Sequence, residues 1–336
     1  MPVKENRYSR QILLPEIGSS GQKRLARSRA VVIGCGALGT HALGFLVRAG
    51  VGQVVVVDRD IVELSNLQRQ TLFAESDIGR PKAKAAEEAL RAVNSDIEIW
   101  GVVTDVSHAN IEKLMKNATV VLDATDNMDT RFLVNDACVK HGIPWIYAGA
   151  VGTTGMVLPV IPGGPCLRCV FPSLPQPGQL PTCDTVGIVN TLPSAVAALE
   201  ATEAFKIMQG KTPTKELLFL DIWQADLQKI AVRRNPGCRT CGERDFEFLQ
   251  ARKRKFAASL CGRNAVQVVP ARELKGGLAD LRNKLAKLGE AELTDGVLKF
   301  RAKGVELTVF PDGRTIVGGT TDLAKAKTVF SKYVGD

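Results

Sequence analysis

The stretch from Ala30 to Arg69, AVVIGCGALGTHALGFLVRAGVGQVVVVDRDIVELSNLQR, constrains this 336-residue chain more than any other. A β-branched run at 31–33 stops where three glycines begin in G-x-G-x-x-G spacing, and those glycines are Gly34, Gly36 and Gly39. Apolar residues at helical spacing follow, and a second apolar run at 54–57 ends in Asp58. The change of period predicts a strand, a glycine turn, a helix and a second strand.

This order is that of the mononucleotide-binding half of a Rossmann fold, with an acidic residue about 20 positions after the glycines. Glycines let the backbone approach a phosphate, the helix N-terminus offers free N–H groups, and Asp58 can accept hydrogen bonds from ribose hydroxyls. A tight helix–sheet junction without a ligand is the alternative, but two strands in the right places favour nucleotide binding.

The segment 59–70 is polar and has neither a strand nor a helix period, where a dehydrogenase would continue to another crossover helix. It can instead supply a cation and amides to a triphosphate. An NAD-dependent oxidoreductase is therefore the less favoured enzyme class.

The length is enough for one large α/β domain with a smaller one, or for two medium domains. No apolar run approaches the roughly 18 residues of a membrane span, and the N-terminus MPVKENRYSR lacks an apolar signal region. We therefore expect a soluble, cytoplasmic protein that does not associate with a membrane.

Alternating patterns predict an α/β fold: a Rossmann-like, mostly parallel sheet continued by antiparallel strands, with a small C-terminal α+β module. The predicted boundaries are 1–244 for the main domain, 245–262 for a basic linker and 263–336 for the module. Predicted helices lie at 82–93, 110–117, 128–141, 193–208, 278–288 and 323–333; predicted strands lie at 97–103, 120–122, 143–148, 156–161, 217–220, 227–232, 265–269, 297–301, 306–310 and 315–318.

Asp126 follows the predicted strand 120–122 directly. In open α/β sheets ligands bind beyond the carboxyl ends of the strands, so Asp126 and Asp58 should face the same crevice. The proline-rich segment 171–184, which contains Cys183, is expected to be a mobile loop without regular structure.

Four of the eight cysteines form two C-x-x-C pairs, Cys166 with Cys169 and Cys238 with Cys241. Together they could supply four thiolates to a structural zinc ion. Redox pairs and coincidence stay open as alternatives, because the gap between the pairs is long.

Positive charge is concentrated late in the chain, where residues 245–336 carry 17 Lys+Arg against 11 Asp+Glu, a net charge of +6 out of +9. The run RKRK at 252–255 could contact an acidic partner or nucleic acid. We prefer a solvated linker, so nucleic acid is not an expected partner.

Several motifs together resemble the ThiF/MoeB family of adenylyltransferases, which are related to ubiquitin-activating enzymes. They are RYSRQ at 7–11, GCGALG at 34–39, DRD at 58–60, SNLQRQ at 65–70, PK at 81–82, TDN at 125–127 with Arg131, and both C-x-x-C pairs. The resemblance covers about residues 5 to 244 in unbroken order. Ala37 departs from it, since the family usually has a further glycine there.

The resemblance implies a homodimer that binds ATP and magnesium and adenylates the C-terminal glycine carboxylate of a small ubiquitin-like sulfur carrier ending in Gly-Gly. In that family the activated carrier supplies sulfur for thiamine, molybdopterin or tRNA thiolation. It implies that Arg69 and Lys82 hold phosphates, Asp126 holds magnesium, and Arg10 reaches the triphosphate of the other subunit. The nucleotide-binding set it implies is Gly34, Gly36, Gly39, Asp58, Asp60, Asn66, Arg69, Lys82, Asp126 and Asn127. Surface charges for Arg69 and Lys82 and a helix cap for Asp126 are the structural alternatives.

Cysteines in the loop of Cys183 can bind the activated carrier covalently in this family, and an ordinary loop cysteine is the alternative. The terminal module is shorter than a rhodanese domain, and its cysteine, Cys261, precedes a predicted strand. The module could dock the carrier or a sulfur donor protein, or it could stabilise the dimer or the chain end. A sulfur relay through Cys261 is the less favoured alternative. Cys35 and Cys138 are interpreted as packing residues, and no histidine is assigned a role.

Two further functions stay open. One is activation of a ubiquitin-like modifier for conjugation to lysines, which differs only in the carrier. The other is a non-catalytic nucleotide-binding scaffold, which would be expected to lose Arg69, Lys82 or Asp126; all three are present.

Overall fold

The computed structural model describes residues 7–175, 182–250, 257–259, 264–270, 274, 276–302 and 304–335, without the side chains of residues 183, 184 and 257–259. The chain divides into two compact units, Met1–Ala251 and Arg252–Asp336. Residues 251–256 and 260–262 of the predicted linker lie outside the described residues, as does Cys261.

An eight-stranded sheet with the order β3-β2-β1-β4-β5-β6-β7-β8 organises the first unit. Strands β1 to β5 pair in parallel and β5 to β8 pair antiparallel, which confirms the predicted fold class. The strands are β1 (Arg29–Ile33), β2 (Gln53–Asp58), β3 (Glu98–Val103), β4 (Val120–Asp123), β5 (Trp145–Val151), β6 (Thr154–Val160), β7 (Glu216–Asp221) and β8 (Asp226–Ala231).

Helices cover both faces of this sheet, and each face has its own apolar core. The described helices are α1 (Ser9–Ile12), α2 (Gly18–Arg27), α3 (Ala37–Ala49), α4 (Lys82–Val93), α5 (Ile111–Leu114), α6 (Met128–His141), α7 (Leu167–Val170), α8 (Cys183–Val186), α9 (Thr191–Met208) and α10 (Glu247–Gln250). Residues of α3, α4 and α9 pack on one face and residues of α5, α6 and α7 on the other.

Strand β1 explains why this sheet is buried on both faces. Val32 packs into the core beneath α3, whereas Val31 and Ile33 pack into the core beneath α6. A continuous run of β-branched residues satisfies both cores, as expected for a parallel strand covered by helices on each side.

The second unit has a six-stranded sheet with the order β11-β12-β13-β14-β10-β9 and two helices. Its elements are β9 (Ala257–Ser259), β10 (Ala265–Val268), α11 (Gly277–Leu285), β11 (Glu290–Thr294), β12 (Val297–Ala302), β13 (Val305–Val309), β14 (Thr315–Gly318) and α12 (Leu323–Tyr333). All of its strand pairs are antiparallel. A core of residues from both helices and five of the strands joins the helices to one face of the sheet.

Two predictions in the second unit are wrong in detail. The predicted helix 278–288 ends at Leu285, and β11 and β9 were not predicted. Strand β11 pairs with β12 through Asp295 and Gly296, whose φ angles are 51° and 75°. A two-residue turn with both residues in the left-handed region is a favoured hairpin connection.

The region predicted to lack regular structure, 171–184, is only partly described. Residues 171–175 are irregular, residues 176–181 lie outside the described residues, and Cys183 begins the short helix α8, which was not expected. The predicted helix 110–117 is shorter, as α5. Among the described residues, no helix has the length and apolar character needed to cross a membrane.

Candidate nucleotide site and cysteine cluster

The glycine turn joins β1 to α3 at the carboxyl end of the sheet. Gly34 has a φ of 98°, and its N–H donates to the Val57 carbonyl at 2.7 Å. A Cβ on Gly34 would collide with the Ala124 carbonyl, and one on Gly39 with the Gly34 carbonyl. These two glycines are therefore required by backbone packing.

Gly36 differs from the other two glycines because it faces open space. The nearest atom to a Cβ built there is Gln70 Nε2, at 3.9 Å. Gly36 is also the N-cap of α3, and no side chain caps that helix end. The turn therefore leaves room for a ligand beside a helix N-terminus, the arrangement that binds phosphate groups.

Asp58 ends β2 and accepts two short backbone hydrogen bonds. Its Oδ2 accepts from the Cys35 N–H and its Oδ1 from the Asp60 N–H, each at 2.6 Å. Burial raises the pKa of Asp58, while the positive charge of Lys82 acts in the opposite direction. Asp58 thus ties the glycine turn to the segment that follows β2, and each oxygen keeps a further lone pair for a ligand.

Lys82 is a buried cation at the start of α4, with only 5% of its surface exposed. Its Nζ lies 4.0 Å from Asp60 Oδ2, and its N–H donates to the Asp60 carbonyl at 2.9 Å. Buried lysines are rare without a counter-charge, and carboxylates on the neighbouring segment supply it here.

Arg59 joins this region electrostatically to Asp126. Its Nη1 lies 3.1 Å from Asp105 Oδ1. Burial lowers the pKa of Arg59, but the charges of Asp105, Asp60 and Asp126 outweigh it and raise the pKa overall. Asp60, which follows β2, and Asp126, which follows β4, therefore both act on the Arg59 guanidinium. That Asp58 and Asp126 face one crevice stays a prediction.

Asn66 and Arg69 lie on the turn that crosses this region, around a 3-10 helix at Leu64–Asn66. Asn66 is 5% exposed, and its Oδ1 accepts from the Glu63 N–H at 3.3 Å. Arg69 Nη1 donates to the Ser65 carbonyl at 2.8 Å, which leaves further guanidinium donors for an anion.

The loop after β4 separates two neighbouring polar residues by role. Asn127 is the N-cap of α6, and its Oδ1 accepts from the Thr130 N–H at 2.9 Å. Asp126 is exposed, and its Oδ1 accepts from Asn127 Nδ2 at 3.3 Å. The cap is therefore Asn127, which leaves the Asp126 carboxylate facing solvent.

A buried charged cluster beneath this loop was not assigned from the sequence. Asp123 is fully buried, and its Oδ2 accepts from Arg131 Nε at 3.1 Å. Arg131 Nη2 also donates to the carbonyls of Thr125 and Ala148, at 2.6 and 3.2 Å. Arg131 thus holds the ends of β4 and β5 together. The sequence signal that could have identified this cluster is an acidic residue, Asp123, at the end of an apolar strand.

Glu200, on α9, is fully buried near Asp123 and Arg131. Neither of its oxygens makes a hydrogen bond of normal distance and angle among the described residues, although the nearby Asp123 N–H favours its ionised form. Burial raises the pKa of Glu200 well above its usual value, and the charge of Asp123 raises it further. A helical pattern alone does not reveal a buried acid, because an exposed face can carry the same residue.

The two C-x-x-C pairs converge in the first unit, and all four sulfur atoms lie within 4.8 Å of one another. Cys166 Sγ lies 3.6 Å from Cys238 Sγ, and Cys169 Sγ lies 3.5 Å from Cys241 Sγ. These separations exceed a disulfide bond and approach the roughly 3.8 Å edge of a tetrahedron with zinc–sulfur bonds of about 2.3 Å. The cluster could hold a metal such as zinc.

Thiol acidity and nearby cations fit a bound metal. Burial raises the pKa of Cys166, and it raises the pKa of Cys241 to about 11, so a cation is needed to keep these groups as thiolates at neutral pH. Arg234 and Arg244 line a cavity of about 510 Å³ beside Cys166 and Cys241. Four thiolates around a divalent metal would carry a net charge of about −2, which these two arginines would partly offset.

Helix α6 anchors both segments that carry the cysteine pairs. Asn135 Oδ1 accepts from the Leu167 N–H at 3.0 Å. Asp136, which is fully buried, accepts from Thr240 Oγ1 at 2.8 Å and from the Phe248 N–H at 2.9 Å. The cluster is therefore built on one helix rather than on loops alone.

No described contact brings Arg10, Arg69 or Cys183 to the glycine turn or to Lys82. Arg10 lies on α1 with an exposed side chain. The side chain of Cys183 lies outside the described residues. Cys35 and Cys138 are buried in the two cores, which confirms their interpretation as packing residues.

A model of the ThiF family matches residues 8–240. The chain belongs to the ThiF family. The sulfur carrier protein ThiS adenylyltransferase of Bacillus subtilis is 43% identical over 335 residues, which cover 98% of this chain and 99% of that relative. The SAMP-activating enzyme E1 of Haloferax volcanii is 42% identical over 247 residues, which cover 73% of this chain and 92% of that relative.

The fold of this ThiF-family chain also occurs in solved structures. A crystal structure of Escherichia coli MccB with ATP aligns with a TM-score of 0.63 over 71% of this chain and 75% of MccB, at 24% identity. At this identity the likeness supports the shared fold alone. The match with the Bacillus subtilis relative, by contrast, extends through the C-terminal unit.

Proposed function

We propose that this ThiF-family protein is an ATP-dependent adenylyltransferase that activates the C-terminal glycine carboxylate of a small ubiquitin-like sulfur carrier protein. The observation that supports the proposal is an open glycine turn after β1, with a buried lysine at the start of α4 and an arginine after β2 on which the charge of Asp126 acts. The names of the relatives that match most of the chain support the same reaction.

The chemistry requires positioning and charge neutralisation. A carboxylate oxygen of the carrier attacks the α-phosphorus of ATP, the bond from that phosphorus to the bridging oxygen breaks, and pyrophosphate leaves with the electron pair. The carboxylate is already ionised at pH 7, so no general base is needed. Charge on the departing pyrophosphate is what fixed cations can stabilise.

We assign Arg69 and Lys82 to the phosphates, Asp58 to the ribose and Asn66 to orienting the phosphates. Lys82 is suited to this role because its ammonium group is already desolvated and fixed between α4 and Asp60. An anion entering the site therefore meets a positive charge that needs little reorganisation. The remaining predicted contacts come from Gly34, Gly36, Gly39, Asp60 and Asn127.

Asp126 would hold magnesium, which would neutralise phosphate charge. Its carboxylate is exposed at the end of β4, and oxygen ligands of this kind suit magnesium. The Asn127 cap keeps the loop that carries Asp126 in a fixed relation to α6.

We propose further that zinc occupies the four-cysteine cluster as a structural ion.

The protein is proposed to be a homodimer in which Arg10 reaches the nucleotide of the other subunit, because its side chain is exposed on α1. Residues 1–244 would form the adenylation domain, 245–262 a linker and 263–336 a separate module. A covalent role for Cys183 and a sulfur donor partner stay predictions.

The proposal is tested by carrier-dependent exchange of labelled pyrophosphate into ATP, with candidate small proteins ending in Gly-Gly. Exchange should require the carrier and should be lost in Asp126→Ala and in Arg69→Ala. Arg91→Ala is a matched control, because Arg91 is an arginine of the same unit that pairs with Glu87 and the Ile99 carbonyl. Absence of exchange with every carrier, in a protein that binds ATP, would contradict the proposal.

A further inference from the structure

Gln70 is a buried glutamine beside the glycine turn whose amide oxygen has no partner. The residue is only 3% exposed, and its Oε1 makes no hydrogen bond among the described residues. The backbone is well fixed, because the Gln70 N–H donates to the Asn66 carbonyl at 3.0 Å and the Gln70 carbonyl accepts from Phe73 at 3.2 Å. Packing and backbone geometry therefore hold this side chain.

The amide of Gln70 points at the open side of the glycine turn. Its Nε2 lies 3.9 Å from the position that a Cβ on Gly36 would take, and apart from Gly36 and its two chain neighbours no other heavy atom of the described residues lies within 4 Å of that position. Gly36 is the N-cap of α3 and has no side chain with which to cap the helix. The Gln70 amide thus borders the place where the backbone can admit a phosphate.

We propose that Gln70 is a ligand of the phosphate chain of ATP and donates a hydrogen bond from its side-chain amide across Gly36. This inference rests on the proposed function, since it takes ATP as the ligand. Rotation about the last side-chain bond exchanges the positions of the amide oxygen and the NH₂ group, so the NH₂ group can face Gly36.

A glutamine kept for structure has its amide satisfied, because a buried polar atom without a partner costs stability. Gln267, in the second unit, is such a residue: it is 6% exposed, and its Oε1 accepts from Arg314 Nη1 at 3.3 Å. Gln70 Oε1 makes no such bond among the described residues, so no partner fixes the orientation of this amide. A phosphate cannot bond to that oxygen; the group that it would meet is the Nε2 donor, which lies beside Gly36.

Gln70 also complements the charged groups of the same turn. It directly follows Arg69 and lies one helical turn after Asn66, so one short segment carries a cation and two amides. Cations attract a triphosphate from many directions, whereas a neutral amide adds a directional contact without further charge. Gln70 would thereby orient the phosphates of ATP against the N-terminus of α3.

The test is Gln70→Met, which keeps the side-chain volume and removes both polar atoms. The ATP-free variant should be at least as stable as the wild type, because it loses no bond to its amide oxygen. Its affinity for ATP, measured by calorimetry, should fall about tenfold or more, the effect of removing a hydrogen bond to a charged group. Its affinity for adenosine, measured by competition with a fluorescent adenosine analogue, should not change.

Gln267→Met is the matched control. It removes a satisfied amide from the second unit, so it should lower stability and leave the affinity for ATP unchanged. The KM for ATP in the exchange reaction should rise in Gln70→Met and stay constant in the control.

Equal ATP affinity in Gln70→Met and the wild type would overturn the inference while leaving the proposed function intact. A parallel loss of adenosine affinity would also overturn it, because the contact would then lie on the nucleoside. A wild-type protein that binds no ATP would overturn this inference together with the proposed function.

Discussion

Replacing Glu200 with glutamine should increase the free energy of unfolding by an amount that grows with pH. Glu200 is fully buried beside Asp123, and its oxygens make no hydrogen bond of normal geometry among the described residues, so the Asp123 N–H and the Arg131 charge offset only part of the cost of burial. Burial, reinforced by the charge of Asp123, raises the pKa of the folded-state carboxyl well above its usual value. The folded protein therefore favours protonated Glu200, whereas the unfolded chain has an ordinary glutamate.

The sign of the effect follows from this difference. Below the unfolded pKa both states hold the proton, and Glu200 imposes no pH-dependent penalty. As the pH rises through the interval up to the folded pKa, only the unfolded chain ionises, and wild-type stability falls by up to about 1.4 kcal/mol per pH unit. Glutamine is neutral and similar in shape, so the variant lacks this penalty.

The assay is urea unfolding at several pH values from 4.5 to 8, followed by tryptophan fluorescence. The chain has three tryptophans, Trp100, Trp145 and Trp223, and all belong to the first unit, so the signal reports that unit alone. The difference in unfolding free energy between variant and wild type should be smallest at pH 4.5 and rise with pH. A difference that stays constant with pH, or that falls, would refute the reasoning.

Glu203→Gln is the control on the same helix. Glu203 is also buried, but its Oε1 accepts from Lys206 at 2.6 Å and its Oε2 accepts from the Thr214 N–H at 2.8 Å. Removing this charge should destabilise the protein at neutral pH, because a buried ion pair is left with one partner. Changes of opposite sign in the unfolding free energy for these two substitutions, one helical turn apart, would show that the surroundings of each glutamate determine the effect.

Gly36→Ala should abolish ATP binding and leave the melting temperature of the ATP-free protein within about 3 °C of the wild-type value. Gly39→Ala should unfold at a lower temperature, because its Cβ meets the Gly34 carbonyl. Equal melting temperatures for the two variants would contradict this. Purified protein should contain about one zinc per chain by elemental analysis, and Cys238→Ser should lose it and melt several degrees lower. Arg10→Ala and Asp126→Ala should each lack exchange activity. When subunits of the two variants are mixed in equal amounts, about a quarter of the wild-type activity should return, because half of the dimers contain one subunit of each kind and one of their two sites is intact. No recovery after verified subunit exchange would argue against a shared site.

The nucleotide half of the fold could be predicted because its signals are local. The β-branched runs of β1 and β2 and the glycine spacing are continuous in sequence, and α4 and α6 begin and end where the pattern predicts. The hairpin strand β11 was missed because four of its five residues are exposed, so its sequence EAELT has no apolar face to mark it. Strand pairing, rather than burial, defines that element.

The polar residues inside the site could not be assigned in the same way. Gln70 and Asp123 have obvious positions near motifs, but their burial depends on packing between segments far apart in the chain. Glu200 lies 77 residues after Asp123 and meets it only when α9 covers the sheet. Spacing identifies residues that bind an external ligand more readily than residues whose partner is another part of the fold.

Helix α6 carries a consequence for how the two sites communicate. Its 14 residues form one rod about 21 Å long, with the Asp126 loop at its first turn and the anchors of the cysteine cluster in its second half. A metal bound by the four cysteines would fix the two segments that contact the second half of this helix, and magnesium at Asp126 would bind beside its first turn. If binding at either end shifts the helix, metal affinity and nucleotide affinity would be thermodynamically linked, and each ligand would strengthen the other by the same factor.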